Sequence, residues 1–319
     1  MLDSVRRTCR WLVRGLGAEL WDNARGREPS PPHESRHDGE TAVVTGATGG
    51  IGREVCLGLA DRGFDVVVAA RDRARGQALV AEIHARGGKA EYEPLELNAP
   101  AERVSACGRR LGSARPPVSL LVNNAGAMGV SKAETLRVNF LSPVVLTLAL
   151  LPALLAAPRC RIVNVGSSSH LRAAAVARAA CDSPALDRDL SAYAASKLGL
   201  MHFGVLLRAD CNISVHDCHP GLVWTPMLRR QLGVLAPALS RVGLRPVLFK
   251  TPSAGAATVL AAALNEPQSG PAYFVNGVLA PRGASSKESA DAESARATWR
   301  DVVSPFLGES LPVSAIRKV

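Results

Sequence analysis

The chain predicts an α/β fold, a doubly wound parallel sheet of about seven strands with helices on both faces. Three observations carry this expectation. From Thr41 onward, short runs rich in β-branched residues alternate with stretches of helical length and periodicity. A glycine cluster, Gly46 to Gly52, joins the first of these strands to the first helix. The 319 residues, 47% hydrophobic and 21% charged, suit one large domain and exclude a chain disordered throughout.

The elements follow in order. In residues 1–21, Leu2, Val5, Cys9, Leu12, Leu16 and Leu20 recur at helical spacing, with Arg6, Arg7, Arg10 and Arg14 mostly between them. An interfacial amphipathic helix, an Arg-rich transit peptide and a helix packed on its own domain all stay open, with Asp3 and Glu19 counting against the transit peptide. Residues 23–40 are polar, carry Pro29, Pro31 and Pro32, and read as a linker. Strands are expected at Thr41–Thr45, Asp65–Ala70, Ala90–Leu95, Leu120–Asn123, Arg161–Val165, Asn212–Cys218 and Ala272–Val275. Helices are expected at Gly50–Arg62, Arg73–Arg86, Thr135–Ala157, Ser191–Ala209 and Ser253–Leu264. The chain thus divides into an N-terminal amphipathic segment with linker (1–40), a main domain (41–282) and a tail (283–319) with a short helix around Trp299 to Leu307.

Composition narrows the partners. The net charge of +10 raises a nucleic acid or an anionic membrane, but no nucleic-acid module or aromatic platform accompanies it, so no nucleic-acid partner is expected. Seven cysteines without a CxxC or paired spacing read as reduced thiols, and no metal site is expected. The uncharged stretch Asn139 to Pro158 is long enough for a membrane span, yet Pro143 and Pro152 interrupt it between strand patterns. A buried core helix is the better reading.

Two motifs carry chemistry. In Thr45-Gly46-Ala47-Thr48-Gly49-Gly50-Ile51-Gly52, glycines tighten a strand-to-helix turn so that backbone can approach a pyrophosphate at the helix N-terminus. At the tip of the second strand, Arg71 stands where a carboxylate would bind a ribose 2′-hydroxyl and an arginine would accept a 2′-phosphate. NADP(H) is therefore the expected cofactor, with NAD(H) the alternative and Arg53 a second candidate contact. Tyr193 and Lys197 stand four apart on one face of a helix. A free phenol titrates near ~10, too high for proton transfer at neutral pH, and an adjacent ammonium favours the phenolate. With three tyrosines and six lysines, chance supplies this spacing roughly 0.06 times.

From about Thr41 to Val275 the sequence resembles the short-chain dehydrogenase/reductase family, whose sheet is Rossmann-like. The glycine motif matches Gly46, Gly50 and Gly52, with Thr48, Gly49 and Ile51 beside them. The family's Asn-Asn-Ala-Gly motif is Asn123 to Gly126, bringing Ala125 with it. The resemblance implies a catalytic tetrad of Asn139, Ser167, Tyr193 and Lys197, Ser168 being the fallback for the serine. It further implies cofactor contacts from Glu96, Leu97, Pro220, Gly221, Val223 and Thr225. In that scheme Tyr193 is the general acid/base, Lys197 lowers its pKa and holds the nicotinamide ribose, Ser167 bonds the substrate oxygen, and Asn139 anchors a relay water. Asn164-Val165, His170 and His219-Pro220-Gly221 are similar to the retinol-dehydrogenase-like branch, as is the 26-residue gap from Ser167 to Tyr193. An NADP(H)-dependent oxidoreductase interconverting a lipophilic alcohol and its aldehyde or ketone, retinol- or polyprenol-like, is the expected function.

Some features depart from the family or go beyond it. Glu96 stands in place of an aspartate. Only sixteen positions separate Asn123 from Asn139, one to two helical turns fewer than in relatives, so the start of that helix must be rebuilt. That shortening motivates the alternative of a cofactor-binding but catalytically silent regulator. Residues 227–250, where the family places a substrate lid, hold Arg229, Arg230, Arg241, Arg245 and Lys250 without an acid, and Leu228, Leu232, Leu235, Leu239 and Val242 at helical spacing. A lid over a long apolar substrate, peripheral contact with an anionic membrane, and a subunit interface or ordinary packing are the readings. The resemblance also implies a homodimer through helices starting near Thr135 and Ser191. The cytoplasmic face of an intracellular membrane or a lipid droplet is the expected location, with soluble cytoplasmic or mitochondrial placement as alternatives.

Overall fold

The computed structural model describes residues 36–113, 117–173, 190–233, 235–241, 248–265, 272–280, 285 and 287–308. The expectations for residues 1–35, and for Val242 and Arg245 in the lid, lie outside the described residues.

Parallel strands buried on both faces need continuous apolar runs rather than alternation. β1 (Thr41–Thr45, TAVVT) is buried throughout, and β2 (Asp65–Ala70, DVVVAA) is buried beyond its first residue. β3 (Lys89–Pro94), β4 (Val118–Asn123), β5 (Arg161–Val165), β6 (Ser214–His219) and β7 (Ala272–Val275) complete the parallel set in the order 3-2-1-4-5-6-7. A two-residue β8 (Val278–Leu279) pairs antiparallel to β7, adding an eighth strand to the seven expected. The order reverses between β1 and β4, which opens a crevice at the carboxyl ends of these strands.

Helices cover both faces. α1 (Ile51–Ala60), α2 (Arg73–Ala85) and α8 (Pro252–Leu264) bury Leu59, Ile83 and Leu260 with Val44 and Val66 of the sheet. On the other face α3 (Ala101–Gly112), α4 (Lys132–Ala156) and α5 (Leu190–Cys211) surround Val43, Leu121, Leu146 and Leu150. The candidate lid segment contributes α6 (Pro226–Leu232) and α7 (Leu235–Arg241).

The sequence reading missed α3, whose Val104, Cys107, Gly108 and Leu111 are buried at helical spacing among charged neighbours. α4 is the one described helix long and apolar enough to cross a membrane, but Val144 to Leu146, Leu150, Leu151 and Leu154 are buried in the core. The described part of the tail packs on the main domain. α9 (Ala292–Thr298) and α10 (Ser304–Leu307), joined by a π-helical turn, dock on α5 through Trp299 stacked on Phe203 and a His202 Nδ1–Thr298 Oγ1 bond of 2.8 Å.

Candidate active site

A cavity of about 410 Å³ occupies the crevice. Its floor is the glycine turn. Gly46 and Gly50 adopt φ +64° and +53°, a region that admits glycine at little cost. A Cβ on Gly46 would sit 2.8 Å from Ala125 Cα, so the turn and the loop after β4 pack backbone to backbone. Asn124 knits the two together, its Nδ2 donating to Thr45 O at 2.8 Å and its backbone N–H to Thr45 Oγ1 at 3.0 Å. Thr48, Gly49, Gly50 and Ile51 line the cavity, and a Cβ on Gly49 would meet nothing within 4 Å. Gly52 does not line it. It serves packing, since a Cβ there would lie 2.5 Å from both Gly46 O and Asn124 Nδ2.

One end of the cavity is basic. Arg71 lines it, and so does Arg75, one turn into α2 and absent from the sequence expectation. Asp72 caps that helix by accepting from Arg75 N at 3.1 Å. Arg53 is a correction: its guanidinium bonds Glu54 and Glu82 at 2.6 Å, and it is not on the cavity wall. Glu96 and Leu97 line the wall.

Asn123 is a second correction. It is the last residue of β4, buried, with Nδ2 donating to Asn164 Oδ1 at 3.1 Å, and the wall begins one residue later at Asn124. Strand alternation sends neighbours to opposite faces, and Asn123 belongs to the α4 side of the sheet. Ala125 and Gly126 follow Asn124 onto the wall.

The shortened stretch before Asn139 is closed by a new helix start. Ser131 caps α4, its Oγ accepting from Glu134 N at 3.2 Å, and residues 137–141 widen into a π-helical turn. That turn, one residue looser than α, holds Asn139 fully buried against the loop. Asn139 Oδ1 accepts from Ala127 N at 2.6 Å, while Nδ2 donates to Ala127 O at 2.9 Å and Ser196 Oγ at 3.1 Å. Asn139 is therefore behind the wall rather than on it.

Ser167, Tyr193 and Lys197 all line the cavity. Lys197 is buried, its Nζ donating to Val165 O at 2.9 Å and lying 5.7 Å from the centre of the Tyr193 ring. Burial pulls its pKa down to about 8. Ser167 caps the 3₁₀ turn Ser168–Arg172, with Oγ accepting from Ser169 N at 3.2 Å. Ser168 lines the cavity too, so position alone does not separate the two serines.

Pro220, Gly221, Val223 and Thr225 form the facing wall. Thr225 caps α6 through Leu228 N at 3.3 Å, and a Cβ on Gly50 would touch its methyl at 3.0 Å, so the lid begins directly over the glycine turn. A bridge of Trp224 N to Lys250 O and Lys250 N to Leu222 O, 2.9 and 2.8 Å, pinches the lid at its base. Leu228 and Leu232 turn inward onto Trp224 and Phe249, whereas Arg229, Arg230 and Arg241 are exposed.

A doubly wound sheet, a glycine turn at its switch point and a Tyr–Lys pair beside it define a dinucleotide-dependent oxidoreductase. Residues 40–232 match the family described as short chain dehydrogenase, and the chain belongs to the short-chain dehydrogenase/reductase family of NAD(P)-dependent oxidoreductases. It is 38% identical over 264 residues to mouse (Mus musculus) polyprenol dehydrogenase, covering 77% of each chain. It is 31% identical to mouse retinol dehydrogenase 13, covering 85% of this chain and 84% of that one. Among solved structures, an assigned NAD(P)-dependent gluconate 5-dehydrogenase from Beutenbergia cavernae, with NADP bound at low occupancy, has a TM-score of 0.58 and 28% identity over 73% of this chain and 92% of its own.

Proposed function

We propose that this chain is an NADP(H)-dependent oxidoreductase interconverting a lipophilic alcohol and its aldehyde or ketone. The observation that carries it is the buried Lys197 ammonium beside Tyr193 on the wall of a cavity floored by the glycine turn. The cavity suits the cofactor: open space stands over Gly49, and two arginines line the end where a 2′-phosphate would lie. NAD(H) is the lesser alternative. Similarity to a neighbour solved with NADP, and to polyprenol and retinol dehydrogenases, supports the same reading. At the other end, Met128, Val130, Val138, Leu222 and Met227 offer apolar surface.

The nicotinamide, when bound, supplies or takes up the hydride. Tyr193 gives its proton to the carbonyl oxygen on reduction and takes it back on oxidation. Lys197, held by Val165 O, keeps positive charge beside the phenol and favours the phenolate. Ser167 donates to the substrate oxygen with the hydroxyl proton now directed at Ser169 Oγ, 3.1 Å away. Asn139 positions the Ala127 backbone behind this group. Inward leucines of the lid cover the apolar end, its outward arginines face an anionic membrane surface, and a homodimer on a cytoplasmic membrane face completes the proposal.

NADPH oxidation with a panel of isoprenoid aldehydes tests the activity. Tyr193→Phe is expected to lower turnover by about 10²- to 10⁴-fold and leave the Kd for NADPH within about twofold. NADPH binding with no turnover on any aldehyde would favour the silent regulator instead. That second reading loses its motive where Asn139 still reaches Ala127 despite the shortened loop.

A further inference from the structure

Two imidazoles that the proposed chemistry does not use stand near Ser167, His170 behind the cavity wall and His219 on it. His170 is fully buried, and its Nδ1 lies 2.6 Å from the Ser167 backbone oxygen. A carbonyl oxygen can only accept, so Nδ1 carries the hydrogen, and in the neutral ring Nε2 is left as an acceptor. Burial holds the ring's pKa below the usual imidazole value, outweighing the bond to Ser167, and the charge of nearby His219 acts in the same direction. The Tyr273 ring meets His170 edge-on, 5.6 Å between centres at 75°, and fixes the imidazole plane. His219 lines the cavity from the end of β6, its Nδ1 accepting from Gly221 N at 3.4 Å.

Ser167 is thereby held at both ends. Its Oγ accepts from Ser169 N, and its carbonyl accepts from His170 twice, through the ring and through the backbone N–H at 3.1 Å. The backbone at Ser167 is extended, φ −158° and ψ 147°, between a strand and a 3₁₀ turn, where no regular ladder fixes it. We propose that His170 is a positioning residue for Ser167, its Nδ1–H bond to the Ser167 carbonyl setting the backbone from which the hydroxyl meets the substrate oxygen. This rests on the reading of Ser167 as the group that bonds that oxygen. A displacement on the scale of 1 Å at such a group lowers a rate by as much as ~10²-fold.

Three substitutions in the full chain separate positioning from packing. Asn at 170 offers an amide N–H near the place of Nδ1, Gln carries its amide out toward the place of Nε2, and Leu offers none. His170→Leu and His170→Gln should lower kcat by roughly 10- to 10²-fold with the Kd for NADPH unchanged, and His170→Asn should recover it to within about threefold of wild type. Asn and Gln variants of equal kcat and equal Tm would overturn the proposal, as would a Leu variant with wild-type kcat. NMR of histidine labelled at the ring nitrogens reads the bond without any turnover. The wild-type chain should show hydrogen on His170 Nδ1 at neutral pH, and a ring with hydrogen on Nε2 alone would overturn the proposal. If Ser167→Ala keeps wild-type turnover while the Nδ1–H signal persists, the reading of Ser167 fails and the His170 bond does not.

Discussion

Lys197 is charged or neutral according to burial, and that makes it readable in solution. With its pKa pulled down to about 8, about half of Lys197 is unprotonated at pH 8, against well under ~1% for a lysine at the ordinary ~10.4. Reductive methylation at pH 8 should therefore modify Lys197 ahead of the other five lysines, by peptide mass mapping, and excess NADP⁺ should protect it. Lowering the pH toward ~6.5 protonates it and should slow its own labelling by roughly tenfold or more, the preference over the other lysines persisting. Uniform labelling at pH 8 would contradict the buried placement. The arginines make a second test. A charge-assisted bond contributes about 1.5–3 kcal/mol, so replacing Arg71 and Arg75 together by Ala should shift the NADPH-over-NADH preference by ~10²-fold or more, read as the ratio of Kd values. Arg53→Ala should leave that ratio unchanged, because Arg53 is paired with Glu54 and Glu82. The Tyr193–Lys197 pair was legible in the sequence because both residues are scarce here and a helix places i and i+4 together. The choice of Arg75 over Arg53 was not legible, because it depends on Glu82, which α2 brings beside the first turn of α1 from 29 positions away.

Elements were read well where a single period dominates and poorly where a loop had to be rebuilt. The buried strands and the Ser191 helix announce themselves by apolar runs, while α3 mixes small and charged residues and passes for loop. The start of α4 depends on contacts that no periodicity encodes: the Ser131 cap, the π-helical turn, and a latch to the lid in which Gln231 Nε2 donates to Met128 O at 2.9 Å. Gly129 admits that latch. Its φ is +76°, and a Cβ there would lie 2.1 Å from Gln231 Nε2. Gly129→Ala should destabilise by about 1–2 kcal/mol from the backbone alone, roughly a 2–6 °C fall in Tm for a domain of this size. By pushing the lid off the loop it should also raise KM for a lipophilic aldehyde more than it lowers kcat. Adding Gln231→Ala relieves the clash, so the double variant should melt above the sum of the two single losses. Strict additivity would mean that the two residues do not meet.

At the scale of the molecule the charge of +10 is unevenly placed. Residues 1–40 hold seven arginines and seven acids, so the surplus belongs to the core, and residues 227–250 add five positive charges without an acid. The sequence left open whether residues 227–250 cover a substrate, touch an anionic membrane or pack as an interface. Packing decides the leucines, since Leu228 and Leu232 are buried with Ala236 and Phe249. Among the described lid residues the exposed charged ones are Arg229, Arg230 and Arg241, and a basic side chain near an anionic leaflet contributes about 1 kcal/mol within a Debye length. Arg229 and Arg241 are the residues to change, because Arg230 also lines the cavity. Reversing both to Glu in the full chain removes two attractions and adds two repulsions, so co-sedimentation with phosphatidylserine vesicles should weaken by at least about tenfold. Binding to phosphatidylcholine vesicles should change little, and high salt should reduce the wild type toward the variant. If the reversed chain sediments as well as wild type, the lid is a cover for the cavity alone, and any membrane contact must come from elsewhere in the chain.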